Sequence, residues 1–263
     1  MKQTVICKIS KIEDCKREDN LDDIIVREYP LSIFLNGKKL ATLLCSPENL
    51  KALIVGFLRT EGMINKVEDV ISFKLDEAKS QVEVETLDKT LTGENFFSKK
   101  IDLDSIKVED IKGIDNFLKS LNCKPVESDT SITVPNIFRF MRENLDHSKV
   151  FKETGGVHCA ALVDSEKMLV AKEDVARHNA LDKVIGEALM KNIFLKDKAV
   201  ILSGRVSLEM ILKAAKMEIP IIISKSAPTS LSVALAKSLN LTLVGFVRRN
   251  KMNIYTGGYR VKE

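Results

Sequence analysis

Residues 152–186 read KETGGVHCAALVDSEKMLVAKEDVARHNALDKVIG, and the fold is decided within this run. Residues 157–163 form an apolar strand, Asp164-Ser165-Glu166-Lys167 a polar tip, and residues 168–171 a second apolar strand. That pattern is a hairpin with polar residues at both ends. Ala180, Leu181, Val184, Ile185, Ala188 and Leu189 then recur at helical spacing. Two of the chain's three histidines, His158 and His178, lie here. Polar residues gathered where a strand ends and a helix begins sit where α/β proteins bind ligands. The same residues would equally serve to cap and turn the chain.

Downstream, strand and helix alternate regularly. Residues 198–202 are a buried-looking strand ending in Ser203-Gly204-Arg205, followed by a helix over 206–216. Residues 219–223 are a strand that ends in SKSAPTS, residues 224–230, and a helix follows over 231–239. The strand at 241–246 runs into Val247-Arg248-Arg249-Asn250-Lys251. Apolar runs joined by crossover helices predict an α/β domain with a mostly parallel sheet over residues 146–263. Upstream the pattern differs. Residues 24–26, 31–35 and 40–44 alternate around Asn36-Gly37, a hairpin signal. Ser46-Pro47 then predicts the cap and first turn of a helix reaching Arg59. Further strands are expected at 67–73 and 81–87, helices at 108–121 and 135–145, and a polar connection over 90–110. Residues 1–145 are therefore expected to form an α+β N-terminal domain.

At 263 residues, 44% hydrophobic and 30% charged, the chain has the composition of an ordinary globular protein. No apolar run approaches the roughly 18 residues of a membrane helix, and the N-terminus lacks a signal-peptide core. No membrane association is expected. The five cysteines make no Cys-x-x-Cys, so no metal site is predicted, and an odd count without a secretion signal predicts reduced thiols in the cytoplasm. A net charge of +4 and the absence of tryptophan argue against a nucleic-acid partner.

In an open α/β sheet the C-terminal strand ends form the ligand crevice. Here those ends carry Ser203, Arg205, Lys225, Arg248, Arg249 and Lys251, and two of them lead into helix N-termini. Cations and free backbone N–H groups on one edge suit a phosphate- or pyrophosphate-bearing ligand. The cysteines offer less. Cys159 follows His158 directly, and strand neighbours point to opposite faces, so the two cannot pair, and Cys159 is expected to be buried. Cys123 sits beside Lys124, whose ammonium could lower its pKa. Cys7 and Cys15 fall near a mobile N-terminus, and Cys45 continues an apolar strand.

The segments EYPLSIFLNGKKLATLLCSPENLKALIVGFLRTEGMI, TGGVHCAALVD, EDVARHNALDKVIG and ILSGRVSLEMILKAAKMEIPIIISKSAPTSLSVALAKSLNLTLVGFVRRNKMNIYTG resemble, in order, the formate dehydrogenase accessory sulfurtransferase family, FdhD. The resemblance implies a cytidine-deaminase-like C-terminal fold and a role in maturing formate dehydrogenase. It implies sulfur taken as a persulfide from a cysteine desulfurase and delivered to a molybdenum (or tungsten) bis-guanine-dinucleotide cofactor, bound as cargo. It also admits a homodimer. The family's cofactor-contacting loop falls on Phe246, Val247, Arg248, Arg249, Asn250 and Lys251, and its Gly-Gly-x-His turn on Gly155, Gly156 and His158. Its Asp-Val-Gly-Arg-His-Asn corner falls on residues 174–179, with Ala176 replacing the glycine.

One departure concerns the sulfur itself. The family's Cys-Gly-rich persulfide motif falls on TLTGENFFS, residues 90–98, which contains no cysteine. Neither Ser98 nor Thr92 can form a persulfide. Either another thiol substitutes, with Cys123 the weak fallback, or the chain is a non-catalytic cofactor-binding, chaperone-like paralogue. Zinc-dependent deamination needs His-x-Glu and Pro-Cys-x-x-Cys, and neither is present.

Overall fold

A computed structural model describes residues 1–91 and 111–263, with the side chains of residues 111, 112 and 115 left out. The persulfide-motif positions 92–98 and the connection at 92–110 lie outside the described residues.

The chain opens with β1 (Thr4–Glu13) and β2 (Lys16–Val26), an antiparallel ribbon that carries Cys7 and Cys15 on its exposed surface. The N-terminus is thus an ordered hairpin rather than a mobile tail. The tight turn with Asp14 and Cys15 at positive φ reverses the chain and pairs the two strands.

A four-stranded sheet follows, built from β3 (Tyr29–Leu35), β4 (Lys38–Cys45), β5 (Val70–Asp76) and β6 (Gln81–Thr86) in the order β4-β3-β6-β5. The β3–β4 turn is the expected Asn36-Gly37, both at positive φ. Helix α1 (Leu50–Thr60) packs on this sheet. It starts later than Ser46-Pro47 suggested, with Asn49 in a left-handed conformation at its N-cap. Ser46 is engaged elsewhere, as described below.

Helix α2 (Ile111–Ser120), the short strand β7 (Ile132–Thr133), α3 (Val134–His147) and α4 (Lys149–Thr154) lead into the second sheet. That sheet has six strands, introduced in chain order as β8 (His158–Val163), β9 (Met168–Asp174), β10 (Ala199–Leu202), β11 (Ile221–Ser224), β12 (Thr242–Arg248) and β13 (Lys251–Thr256). Their spatial order is β13-β12-β11-β10-β8-β9. Helices α5 (Arg177–Met190), α6 (Leu208–Lys216) and α7 (Ser230–Ser238) connect them. A last short strand, β14 (Val261–Lys262), pairs with β7.

The expectation of a mostly parallel sheet is corrected. Only β10–β11 and β11–β12 are parallel, whereas β8–β9, β8–β10 and β12–β13 are antiparallel. The crossover helices α6 and α7 supply the two parallel pairings. Arg249 and Asn250 alone join β12 to β13, far short of the dozen or so residues a parallel crossover requires. The architecture is an α/β fold with a mixed C-terminal sheet.

Side-chain alternation gives this sheet two buried faces. Ala160, Leu162, Val200, Leu202, Ile222 and Leu243 meet α5, α6 and α7 on one face. Ala161, Val163, Ile201, Ile223, Val244 and Val247 meet Ile137, Phe140 and Met141 of α3 on the other. Helix α5 also packs against α1, which joins the two sheets. The approach is close: a Cβ on Gly186 would lie 1.9 Å from the Ala52 carbonyl oxygen, and one on Gly56 1.9 Å from that of Asp182. Backbone oxygens in both helices would have to give way. Gly186→Ala is therefore expected to lower stability by about 1–3 kcal/mol or more, read as a fall in the denaturant midpoint with an unchanged m-value.

Candidate functional site

The C-terminal ends of β10, β11 and β12 share one edge of the second sheet. Because β8 runs antiparallel to β10, its first residues, His158 and Cys159, lie at that same edge beside the end of β9. The loops are laced together by backbone hydrogen bonds. Val206 N–H donates to the Ala227 carbonyl (3.1 Å), Thr229 N–H to that of Val206 (3.0 Å), and Phe246 N–H to that of Ser226 (3.1 Å). The three loops thus form one rigid rim.

On the α5–α6 face, His158 is half-buried over the turn after β10. A Cβ on Gly204 would come within 2.9 Å of His158 Nδ1, so only glycine lets the ring lie there. The Ser224 hydroxyl donates to the Gly204 carbonyl at 2.7 Å and holds that turn. Burial first, then the positive charges of Arg177 and His178, push the His158 pKa below its ordinary value of 6.5. His178 Nε2 lies 2.7 Å from Glu209 Oε2 and 3.4 Å from Ser207 Oγ. Its ring is braced by α6. Arg177 Nε is buried and has no hydrogen-bond partner among the described residues, a donor left over between the two histidines.

The basic rim is uneven. Arg205, Arg248, Arg249, Asn250 and Lys251 are exposed. Val247 is 1% exposed and packs in the core, so it is unavailable to a ligand. The reason is a bulge: Phe246 takes φ 54° and the β12–β13 register shifts between Gly245 and Arg248. That kink half-exposes Phe246, drops Val247 inward and turns Arg248 outward. Arg248 Nε donates to the Lys225 carbonyl (3.2 Å), and its guanidinium lies 5.5 Å from the Phe246 ring centroid. Together they present an aromatic face beside a fixed cation. Ser203 Oγ accepts from the Cys159 amide at 2.9 Å. Of the two expected helix N-termini, that of α7 is closed by its own Thr229–Ser232 capping box, whereas Ser207 makes no capping bond on α6.

Residues 174–179 are largely structural. The Asp174 carboxylate is fully buried and takes hydrogen bonds from Ser46 N–H (3.0 Å), Ala176 N–H (3.0 Å) and Asn179 Nδ2 (3.1 Å), with Lys183 Nζ at 2.7 Å. Ser46 returns the contact by accepting from Val175 N–H at 3.1 Å. Ala176 sits at φ −108°, an ordinary extended conformation, so the glycine of the family pattern is dispensable here.

Three thiols are held protonated. Cys45 is pushed up to about 12, by burial first and then by Asp174. Burial also raises Cys123, and the nearby cation that partly offsets it is Lys216, from α6. The thiol is half-buried against the core of the second sheet, and Lys124 is not among the charges that act on it. Cys159 is 2% exposed and likewise raised by burial. Glu173 opposite it, Ser148 on Glu173 and the buried Asn144 of α3 escaped sequence reading. The available signal was an asparagine inside the apolar α3 stripe Ile137, Phe140, Met141.

The model of the FdhD/NarQ family matches residues 26–262. The chain belongs to the FdhD/NarQ family. It is 36% identical over 263 residues to a sulfur carrier protein FdhD of Bacillus subtilis (strain 168), covering 97% of this chain and 99% of that protein. A sulfur carrier protein FdhD of Bacillus pumilus is 38% identical over 248 residues, 92% of this chain and 91% of the relative. The crystal structure of a provisionally assigned formate dehydrogenase accessory protein from Desulfotalea psychrophila superposes with a TM-score of 0.79 at 28% identity, covering 99% of this chain and 100% of that one. No helix among the described residues of this FdhD/NarQ member is long and apolar enough to cross a membrane.

Two outcomes are expected from this arrangement. Because the folded pKa of His158 is depressed, the unfolded chain binds more protons between that value and 6.5. The stability His158 contributes is present above pH 6.5 and is lost as the pH falls through the folded pKa. A His158→Gln variant should flatten that part of a chemical-denaturation pH profile, and an NMR titration should place the ring below its ordinary value. Lys183→Met, which leaves the Asp174 carboxylate buried and unpaired, should cost about 3–5 kcal/mol in urea melts.

Proposed function

We propose that the chain is a sulfur carrier and accessory protein for formate dehydrogenase. It receives sulfur from a cysteine desulfurase and delivers it to a molybdenum (or tungsten) bis-guanine-dinucleotide cofactor held as cargo. The observation that carries this reading is family membership over residues 26–262 combined with one rim bearing Arg205, Lys225, Arg248, Arg249 and Lys251.

The residues fit such a cargo. A pyrophosphate needs cations and free N–H groups, and the rim supplies both, with the uncapped N-terminus of α6 beside His178 and the orphan Arg177 Nε. A guanine base needs an aromatic face, and Phe246 is set next to Arg248. Arg205, Arg248, Arg249, Asn250 and Lys251 would hold the dinucleotide end, with Ser203, His158 and His178 bracing the crevice. Partners in this reading are formate dehydrogenase and a desulfurase, in the cytoplasm, with a homodimer compatible.

We read the C-terminal layer as cytidine-deaminase-like on the family resemblance, with which a mixed sheet covered by helices on both faces agrees. A division into residues 1–145 and 146–263 follows the change of sequence pattern. Packing crosses it, since Ile114, Phe117 and Phe140 already lie in the cores of the second sheet.

One observation favours a second reading. TLTGENFFS at residues 90–98 has no cysteine, which suits a cofactor-binding paralogue without transferase chemistry. Either way the rim binds the nucleotide. Guanosine diphosphate, which carries guanine and a pyrophosphate, should bind in calorimetry. An Arg248→Ala/Arg249→Ala variant should bind about tenfold or more weakly with an unchanged melting temperature. No binding by the parent protein, or equal binding by the variant, would overturn the cargo site.

A further inference from the structure

Strand alternation places Cys159 on the opposite face of β8 from His158, under α3 and α4. Its cross-strand partner on β9 is Glu173. The Ser148 hydroxyl, at the N-cap of α4, donates to Glu173 Oε2. Ser203 Oγ sits against the Cys159 amide. The Lys225 ammonium, from the end of β11, lies 5.7 Å from the Phe151 ring centroid of α4 and acts electrostatically on the same thiol. Cysteine, hydroxyl, carboxylate and ammonium therefore share one niche at the sheet edge.

A second observation marks the niche as more than a packed core. Asn144 is 1% exposed, and neither its Nδ2 nor its Oδ1 has a hydrogen-bond partner among the described residues. It lies on the sheet-facing stripe of α3 with Ile137, Phe140 and Met141, one turn before Ser148. Helix α3 runs along the sheet from the β8–β9 tip, where Asn136 and Arg139 donate to the carbonyls of Ser165 and Glu166, to Ser148 beside Glu173. Its last turn thus brings Asn144 to the thiol end. A buried amide with all its hydrogen-bonding capacity unused costs on the order of 1–3 kcal/mol, and an added polar atom in the niche would recover it.

Resting on the sulfur-carrier reading, we propose that Cys159 is the sulfur-accepting thiol of this chain, with its cross-strand neighbour Glu173 as its base. In the step, Cys159 Sγ attacks the terminal sulfur of a donor persulfide. The donor S–S bond breaks, a new S–S bond forms on Cys159, and the donor leaves as a thiol. The Cys159 proton passes to Glu173, its cross-strand neighbour, and then to the departing thiolate, so nothing is oxidised or reduced overall. The Asn144 amide and the Lys225 ammonium would hold the new terminal sulfur. Cys159 is 2% exposed, so the donor has to open the niche to reach it, and once the niche closes the persulfide is shielded from solvent reductants.

The test is incubation of the full-length protein with a cysteine desulfurase and cysteine, followed by peptide mass mapping without reductant. A mass increase of one sulfur atom is expected on the Cys159 peptide and absent in Cys159→Ala. Glu173→Gln should slow loading by roughly a hundredfold and remove the carboxylate limb of its pH–rate profile, without changing the site loaded. Binding of guanosine diphosphate and the far-ultraviolet dichroism of both variants show that they are folded. Sulfur on another cysteine, or undiminished loading of Cys159→Ala, overturns the assignment while leaving the carrier reading intact. No sulfur on any of the five cysteines overturns both.

Discussion

The arrangement depends on one buried charge. Asp174 ends β9, the outer strand of the second sheet, and its carboxylate gathers Lys183 from α5 and the Ser46 amide from the junction of β4 and α1. Taking both ions out of water is costly and is offset only if every lone pair and proton finds a partner. Here they do: Lys183 Nζ also donates to the carbonyls of Ser46 and Glu173 at 3.2 and 3.3 Å, and Asn179 Nδ2 bridges to the Leu44 carbonyl at 2.8 Å. The result is a joint among three elements that has no freedom to slide. Glu173 and Arg177, the residues flanking this corner, inherit its rigidity on opposite faces of the sheet.

A second charge group pins the same helix at the neighbouring residue, Asp182. Lys213 of α6 donates to both Asp182 oxygens at 2.8 and 2.9 Å and to Thr60 Oγ1 at 2.8 Å. Burial opposes the charge on Lys213, but Asp182 and Glu61 outweigh it and push its pKa up. At the same point and one turn on, α5 meets α1 at Gly56 and Gly186, where the backbones nearly touch. Helix α5 is therefore a fixed spine between the sheets, which keeps Arg177 and His178 at its N-terminus in register with the loops after β10. A rim made of three separate loops gains a stable geometry from a helix that cannot shift.

Much of this was legible in sequence where the signal is local. The Asn36-Gly37 hairpin, the 158–174 hairpin and the helices α5, α6 and α7 follow from turn residues and periodicity, and each lies close to its expected place. Long-range features were not legible. Ser46-Pro47 looks like a helix cap, but Ser46 is taken by Asp174, 128 residues away. Val247 looks like part of a basic loop until the bulge at Phe246 sends it inward. The parallel sheet was overestimated because apolar strands read alike in either direction, and only the two-residue β12–β13 link reveals the reversal. Ser148 and Glu173 were missed because only the cross-strand register that sets Glu173 opposite Cys159, and the helix cap that sets Ser148 on Glu173, bring them together.

That register also explains how one edge can carry two chemistries. Adjacent strand residues point to opposite faces, so a single step from His158 to Cys159 moves from the α5–α6 side to the α3–α4 side. The cationic rim lies between the two sides and is shared: Lys225 faces the thiol niche while its carbonyl fixes Arg248, whose guanidinium stands beside Phe246. A ligand anchored on the rim is therefore held against the same loop whose ammonium acts on Cys159. Burial keeps the thiol protonated at rest. Such a thiol is inert while buried and has the Glu173 carboxylate beside it when the niche opens. This combination suits a carrier that must not react with the thiols of its surroundings but must react with one docked donor.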